Sequence, residues 1–86
     1  MLTDEIQAAV KKRIAILGYR ESIKFIKLNQ SKLIVMSNNI PDDMRKEIVH
    51  HAKLADSKVE IYNGNSRDLG TICGVPYPVS SVIIKG

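Results

Sequence analysis

The chain has 86 residues, enough for one small domain and one core, since a chain of this size buries only about 60–65% of the surface its unfolded form exposes. Its hydrophobic fraction of 44% and charged fraction of 26% are those of an ordinary soluble domain, and no apolar run approaches the roughly 20 residues of a membrane helix. The net charge of +4 is unevenly placed: residues 1 to 32 hold seven Lys or Arg against three acids, and residues 33 to 86 hold six against six. A localised anionic partner is therefore expected, with nucleic acid first among the choices and a merely solvated basic surface as the alternative.

Thr3 or Asp4 is placed to cap a first helix running to about Arg13, with Ile6, Ala9 and Val10 on its inner face. The start of the chain lacks the unbroken apolar core of a signal peptide, so a cytoplasmic location is expected. Residues 14 to 17 (IAIL) form a short apolar run ended by Gly18, the pattern of a brief buried strand. From Tyr19 to Leu28 two rows recur at helical spacing: Tyr19, Ile23 and Ile26 are apolar, while Arg20, Lys24 and Lys27 are basic. One side of this second helix can enter a core while the other meets an anion, and the glycine turn opens on unpaired N–H groups at the positive end of a helix.

Asn29-Gln30-Ser31 is a polar break before the β-favouring run at residues 33 to 36 (LIVM), expected to be buried on both faces. Residues 37 to 41 (SNNIP) read as a loop, with Pro41 suited to the first position of a third helix and Asp42 and Asp43 behind it. Met44, Ile48, Ala52 and Ala55 carry that helix, and residues 59 to 62 (VEIY) are the third strand. Asn65 or Ser66 is placed to cap a short fourth helix that Gly74 ends; VPYP at 75 to 78 cannot continue it, and 79 to 84 (VSSVII) is the last strand. The alternation α-β-α-β-α-β-α-β predicts an α/β fold, a three-layer α/β/α sandwich on a four-stranded mixed sheet, with the loops near Gly18, Asn39 and Tyr77 collecting at one edge.

Candidates for catalysis and metal binding are weak. His50 and His51 are adjacent, about 100° apart on a helix, and so cannot face one metal as an i, i+4 pair does. Cys73 is the single cysteine and reads as core packing, and Asp42 and Asp43 suit the start of a helix without further purpose. No phosphate-loop, dinucleotide or nucleophile-elbow pattern occurs, so neither enzyme activity nor a cofactor, metal or small-molecule substrate is expected. Ser37, Asn38 and Asn39 offer groups able to read base edges, although such loops commonly serve turns and caps. Tyr77, between Pro76 and Pro78, is an aromatic on a stiff loop, suited either to stacking on an unpaired base or to covering the core.

In order and spacing, LGYRESIK, KLIVMSNNIP, HAKLA, NGNSRDLGTICG and PYPVSSVII resemble the eukaryotic and archaeal large-subunit ribosomal protein thirty-e family, of the L-seven-Ae superfamily of kink-turn RNA binders. The resemblance covers about Ile14 to Ile84 and implies a kink-turn or similar rRNA internal loop as target, other large-subunit ribosomal proteins as neighbours, and no membrane contact. It implies RNA-binding roles for Gly18, Tyr19, Arg20, Glu21 and Lys24 at the helix start, for Asn39 before the proline and for Tyr77 in the last loop, stacking on an extruded base; Asn38 and Pro76 join the expected set as the loop neighbours of Asn39 and Tyr77. A basic pair usually follows that proline after two residues; here it is displaced by one, to Arg45-Lys46, so Arg45 is left outside the set. Lys11, Lys12 and Arg13 either touch RNA or keep a helix soluble. A stand-alone kink-turn module outside the ribosome shares all of these residues, and a protein-interaction adaptor on the same scaffold is a more distant alternative. Family members usually continue past the final strand with a proline- and glycine-containing tail, whereas this sequence stops at Gly86, closer to the short bacterial relatives.

Overall fold

A computed structural model describes residues 2–28 and 31–85. These form α1 (Leu2–Lys11), β1 (Ala15–Leu17), α2 (Tyr19–Leu28), β2 (Ser31–Met36), α3 (Asp42–Leu54), β3 (Lys58–Ile61), α4 (Ser66–Ile72) and β4 (Ser81–Lys85), the alternation expected from the sequence. The strands make one mixed sheet in the order β1-β4-β2-β3. β4 runs antiparallel to both β1 and β2, and β2 and β3 are parallel.

Two cores flank the sheet, because successive side chains of a strand point to opposite faces. Leu33 and Val35 of β2 and Val82 and Ile84 of β4 pack with Ile6 and Ala9 of α1 and Leu69 and Cys73 at α4. Ile34 and Met36 of β2 and Ile83 of β4 pack with Ile23 and Ile26 of α2 and Ile48 and Ala52 of α3. Helices α1 and α4 therefore cover one face and α2 and α3 the other, the three-layer sandwich. Leu33, Ile34, Val35 and Met36 are all buried, as an unbroken apolar run in a central strand requires, and each such side chain contributes about 1.5–3 kcal/mol on burial.

The ends of several elements differ from expectation. α1 stops at Lys11, not Arg13: Arg13 takes a left-handed φ of 61°, turning the chain toward β1 while its N–H reaches Val10 O. Helix propensity alone carries the Lys11-Lys12-Arg13 run onward, and the need to place Ile14 and β1 against β4 overrides it. The helix has already begun at Leu2, so Thr3 and Asp4 fall within its first turn and do not cap it. Pro41 stands at the N-cap of α3 with extended backbone (φ −57°, ψ 144°), one residue earlier than expected. β3 ends at Ile61 and β4 begins at Ser81, leaving Tyr62, Val79 and Ser80 in the adjoining loops. The expected break at Asn29 and Gln30 lies outside the described residues, and Ser31 already belongs to β2.

Candidate nucleic-acid interface

One end of the sheet gathers the loops singled out in the sequence, and backbone hydrogen bonds stitch them together. Gly18 N–H donates to Ser81 O (2.9 Å), Ser37 N–H to Ser80 O (2.9 Å), and Val79 N–H to Ser66 O (2.9 Å). Asn38 N–H donates to Gly64 O (2.9 Å), and Asn39 Oδ1 accepts from Ser66 N–H (2.8 Å). The glycine turn, the asparagine loop, the start of α4 and the proline loop are thus brought to one edge, with the start of β4 as the seam.

Gly18 has φ +100°, which L side chains rarely adopt, and a Cβ built there meets nothing within 4 Å. Conformation, not space, demands the glycine. Its N–H is committed to Ser81 and its carbonyl accepts from both Ser22 N–H (3.0 Å) and Ser22 Oγ (2.6 Å), so Gly18 itself offers no donor to a ligand. The ladder of α2 begins at Ser22, and the N–H groups of Tyr19, Arg20 and Glu21 precede it at the positive end of the helix. Arg20, Glu21 and Lys24 are exposed on this helix.

Tyr19 is half-buried against the α2–α3 core, and its hydroxyl donates to Glu47 of α3. That hydrogen bond, followed by burial and the nearby charges of Glu47 and Asp43, pushes the phenol up to about 12. Tyr19 thus spends its hydroxyl on fixing the start of α2 against α3 and presents no free hydroxyl to a ligand.

The asparagine loop divides. Ser37 is fully buried and cannot face a base edge, whereas Asn38 and Asn39 are exposed. Asn39 keeps only its amide N–H₂ group for a ligand, because its carbonyl holds the first residue of α4. Asn65 caps that helix with a reciprocal pair, its side chain accepting from Asp68 N–H and Asp68 accepting from Asn65 N–H.

On the far side Pro76 is exposed and Tyr77 is 55% exposed, so Tyr77 is no lid on the core. Its loop lies against α4 so closely that a Cβ on Gly70 would stand 2.2 Å from Tyr77 O. Beside Tyr77, Arg67 and Thr71 of α4 line a shallow groove with Val75, Pro76 and Pro78.

Two sets of residues were not foreseen. Arg67 brings a guanidinium to the Tyr77 groove, and the signal for it was present: it is the one basic residue between Val59 and Ile84. The buried hydroxyls were silent in sequence. Ser81 Oγ donates to Ser22 Oγ (2.9 Å), which donates to Gly18 O, and this chain props the glycine turn from beneath. Cys73, at the C-terminal cap of α4, is buried in the core, and burial pushes its thiol up to about 11, the inert state expected of a packing cysteine. His50 and His51 pack edge to face with centroids 5.4 Å apart. Among the described residues no group of three or more His, Cys, Asp or Glu could hold a metal ion, and no helix is long and apolar enough to cross a membrane.

The model of the ribosomal protein L7Ae/L30e/S12e/Gadd45 family matches residues 1–86. The chain belongs to this family. Large ribosomal subunit protein eL30 of Methanothermobacter thermautotrophicus is 39% identical over 80 residues, covering 93% of this chain and 82% of that protein. The eL30 proteins of Methanopyrus kandleri and Saccharolobus solfataricus are 39% and 35% identical over 80 residues each, covering 93% of this chain and 73% and 74% of their own lengths. The L7Ae/L30e-type fold recurs at lower identity. A protein of unknown function from Bacillus halodurans superposes with a TM-score of 0.87 at 18% identity, over 98% of this chain and 83% of that one. The Giardia lamblia 15.5kD RNA binding protein gives 0.82 at 16% identity, over 99% and 71%.

Proposed function

We propose that this chain is a structural, non-catalytic protein of the large ribosomal subunit, and that residues 1–86 act as one domain binding rRNA at a kink-turn or similar internal loop. Its relatives are large-subunit ribosomal proteins, which makes rRNA and neighbouring ribosomal proteins the natural partners and the cytoplasmic ribosome the natural location. The observation that carries the reading is the convergence of three chain-distant loops on one edge, with Arg20 and Lys24 exposed on one side and Tyr77 exposed beside Arg67 on the other.

In this reading the open N–H groups at the start of α2, with Arg20 and Lys24, hold phosphates. The Asn39 amide donates to a base edge, Asn38 lies alongside, and Tyr77 stacks on a displaced base that Pro76 helps to frame. Side chains cannot reach base edges inside an A-form major groove, so the target must splay its bases, as an internal loop does. The test is a salt titration of binding to a kink-turn RNA and a matched perfect duplex side by side. Tighter binding to the kink-turn at every salt concentration is expected; equal affinity for the two overturns the reading.

A further inference from the structure

Helix α3 leaves this edge at Pro41 and carries more charge than its capping and packing use. Ile48 and Ala52 face the core. On the solvent side Arg45, Lys46, Val49, His50 and Lys53 line one open depression whose described lining contains no acid. The acids of the helix are each engaged, Asp42 with the first residue of this row. Asp42 pairs with Arg45 (2.9 Å), Glu47 accepts from Tyr19 and lies 3.9 Å from His51 Nε2, and the charge of Asp43 helps to raise the Tyr19 phenol. Lys46, His50 and Lys53 are exposed without such partners among the described ion pairs. Lys46 and Lys53 stand seven residues apart, two turns along one side of the helix, so a single anionic strand lying along it can meet both.

We propose that the solvent face of α3 is a second RNA contact, through which Lys46 and Lys53, with Arg45 and His50 beside them, hold the phosphate backbone of the duplex arm that leaves the bent loop. Three features favour an RNA arm over other occupants. The row begins one helical turn after the SNNIP loop, so it continues the edge already assigned to RNA. From Arg45 to Lys53 it runs about 12 Å along the helix, long enough to follow several phosphates. Its residues suit a backbone, since point charges on flexible stems neutralise phosphate without reading sequence. Arg45 is partly neutralised by Asp42, so the two lysines contribute most.

This inference rests on the kink-turn reading, and the experiment separates the two. Binding of wild type and of Lys46→Gln/Lys53→Gln is measured across a salt series on two kink-turn RNAs with the same loop, one with a long flanking arm and one with that arm cut to the loop's edge. On the long-arm RNA the double variant should lose roughly 1.5 to 2 from the slope of log K against log salt, about 0.9 per lost phosphate contact. On the short-arm RNA it should match wild type, and Lys46→Arg/Lys53→Arg should restore the long-arm slope. An unchanged slope on the long arm overturns the proposal. So does failure of the variant to enter large subunits while its RNA binding stays intact, which would give the face to an acidic protein neighbour. If wild type does not prefer kink-turn to duplex, the earlier reading fails by itself, and the long-arm comparison still reports whether duplex phosphates touch α3.

Discussion

The asparagine loop at 37–41 and the proline loop at 75–78 stand on the same edge of the sheet and are held in opposite ways. Each residue from Ser37 to Asn39 gives something to the scaffold: backbone N–H groups to Ser80 and Gly64, and the Asn39 carbonyl to Ser66. The proline loop is held by shape. Its two prolines stiffen it, Val75 and Val79 anchor its ends through Gly70 O and Ser66 O, and its middle rests on the bare backbone of Gly70. In the proposed reading Asn39 serves fold and ligand with one side chain, whereas the Tyr77 side chain serves the ligand alone. A residue can be exposed and still be structurally committed, and burial by itself does not tell the two cases apart.

The largest expected effect tests the shape of the proline loop. Gly70→Ala puts a methyl 2.2 Å from Tyr77 O, against backbone that cannot swing aside. It should cost about 3 kcal/mol of stability and displace Tyr77, so urea unfolding and RNA affinity should both worsen. Retention of wild-type stability would mean that the loop is not clamped on α4. Next in size, Tyr77→Ala should weaken kink-turn binding by about 1–3 kcal/mol with an unaltered melting temperature. A fall in melting temperature would make Tyr77 a structural residue like Asn39 and erase the contrast.

Asn39 supplies the finer instrument. Asn39→Ala should lose about 1 kcal/mol of stability along with RNA affinity, because the Ser66 N–H loses its acceptor. Asn39→Asp keeps that acceptor and adds a charge favourable to the start of α4, so stability should hold while RNA binding, deprived of the amide donor, still falls. Equal damage to both properties in the aspartate variant would contradict the division of labour within this side chain. The mildest test is pH. The folded Cys73 thiol at about 11 lies above its unfolded value of 9.0, so the unfolded chain gives up the proton first as pH rises. Stability from this group is complete below pH 9 and lost between pH 9 and 11, by about 1 kcal/mol at pH 10. Tyr19, raised from 10.0 to about 12, adds a later decline between those values. Urea unfolding from pH 8 to 11 should show the first decline vanish in Cys73→Ala, at the root of the proline loop, and the later one in Tyr19→Phe.

Much of this was legible from local chemistry. The LIVM run in β2, the Ile48 and Ala52 spacing in α3 and the capping sequence at Asn65 each follow from residues within a few positions of one another, and all eight elements occur in the expected order with several ends shifted by one or two residues. What escaped depends on partners far along the chain. Nothing near Asn39 announces that Ser66, 27 residues on, will take its carbonyl. Ser81 is a polar residue at a fully buried position, and its hydroxyl finds its partner, Ser22, across 59 residues. Alternation implied a sheet with helices on both faces, yet the insertion of β4 between β1 and β2 is a matter of tertiary pairing on which the order of elements is silent.

That insertion also sets when the protein becomes competent during synthesis. Among the described residues β1 pairs only with β4, and the Gly18 turn is held by Ser81 through its N–H and, by way of Ser22, through its carbonyl. A nascent chain can therefore join β2 to β3 as soon as both have emerged, while the turn that starts α2 stays unfastened until the β4 segment follows. The proposed RNA grip is thus completed only when the β4 segment has been made, so a copy lacking β4 has little means of occupying the RNA that a finished one needs.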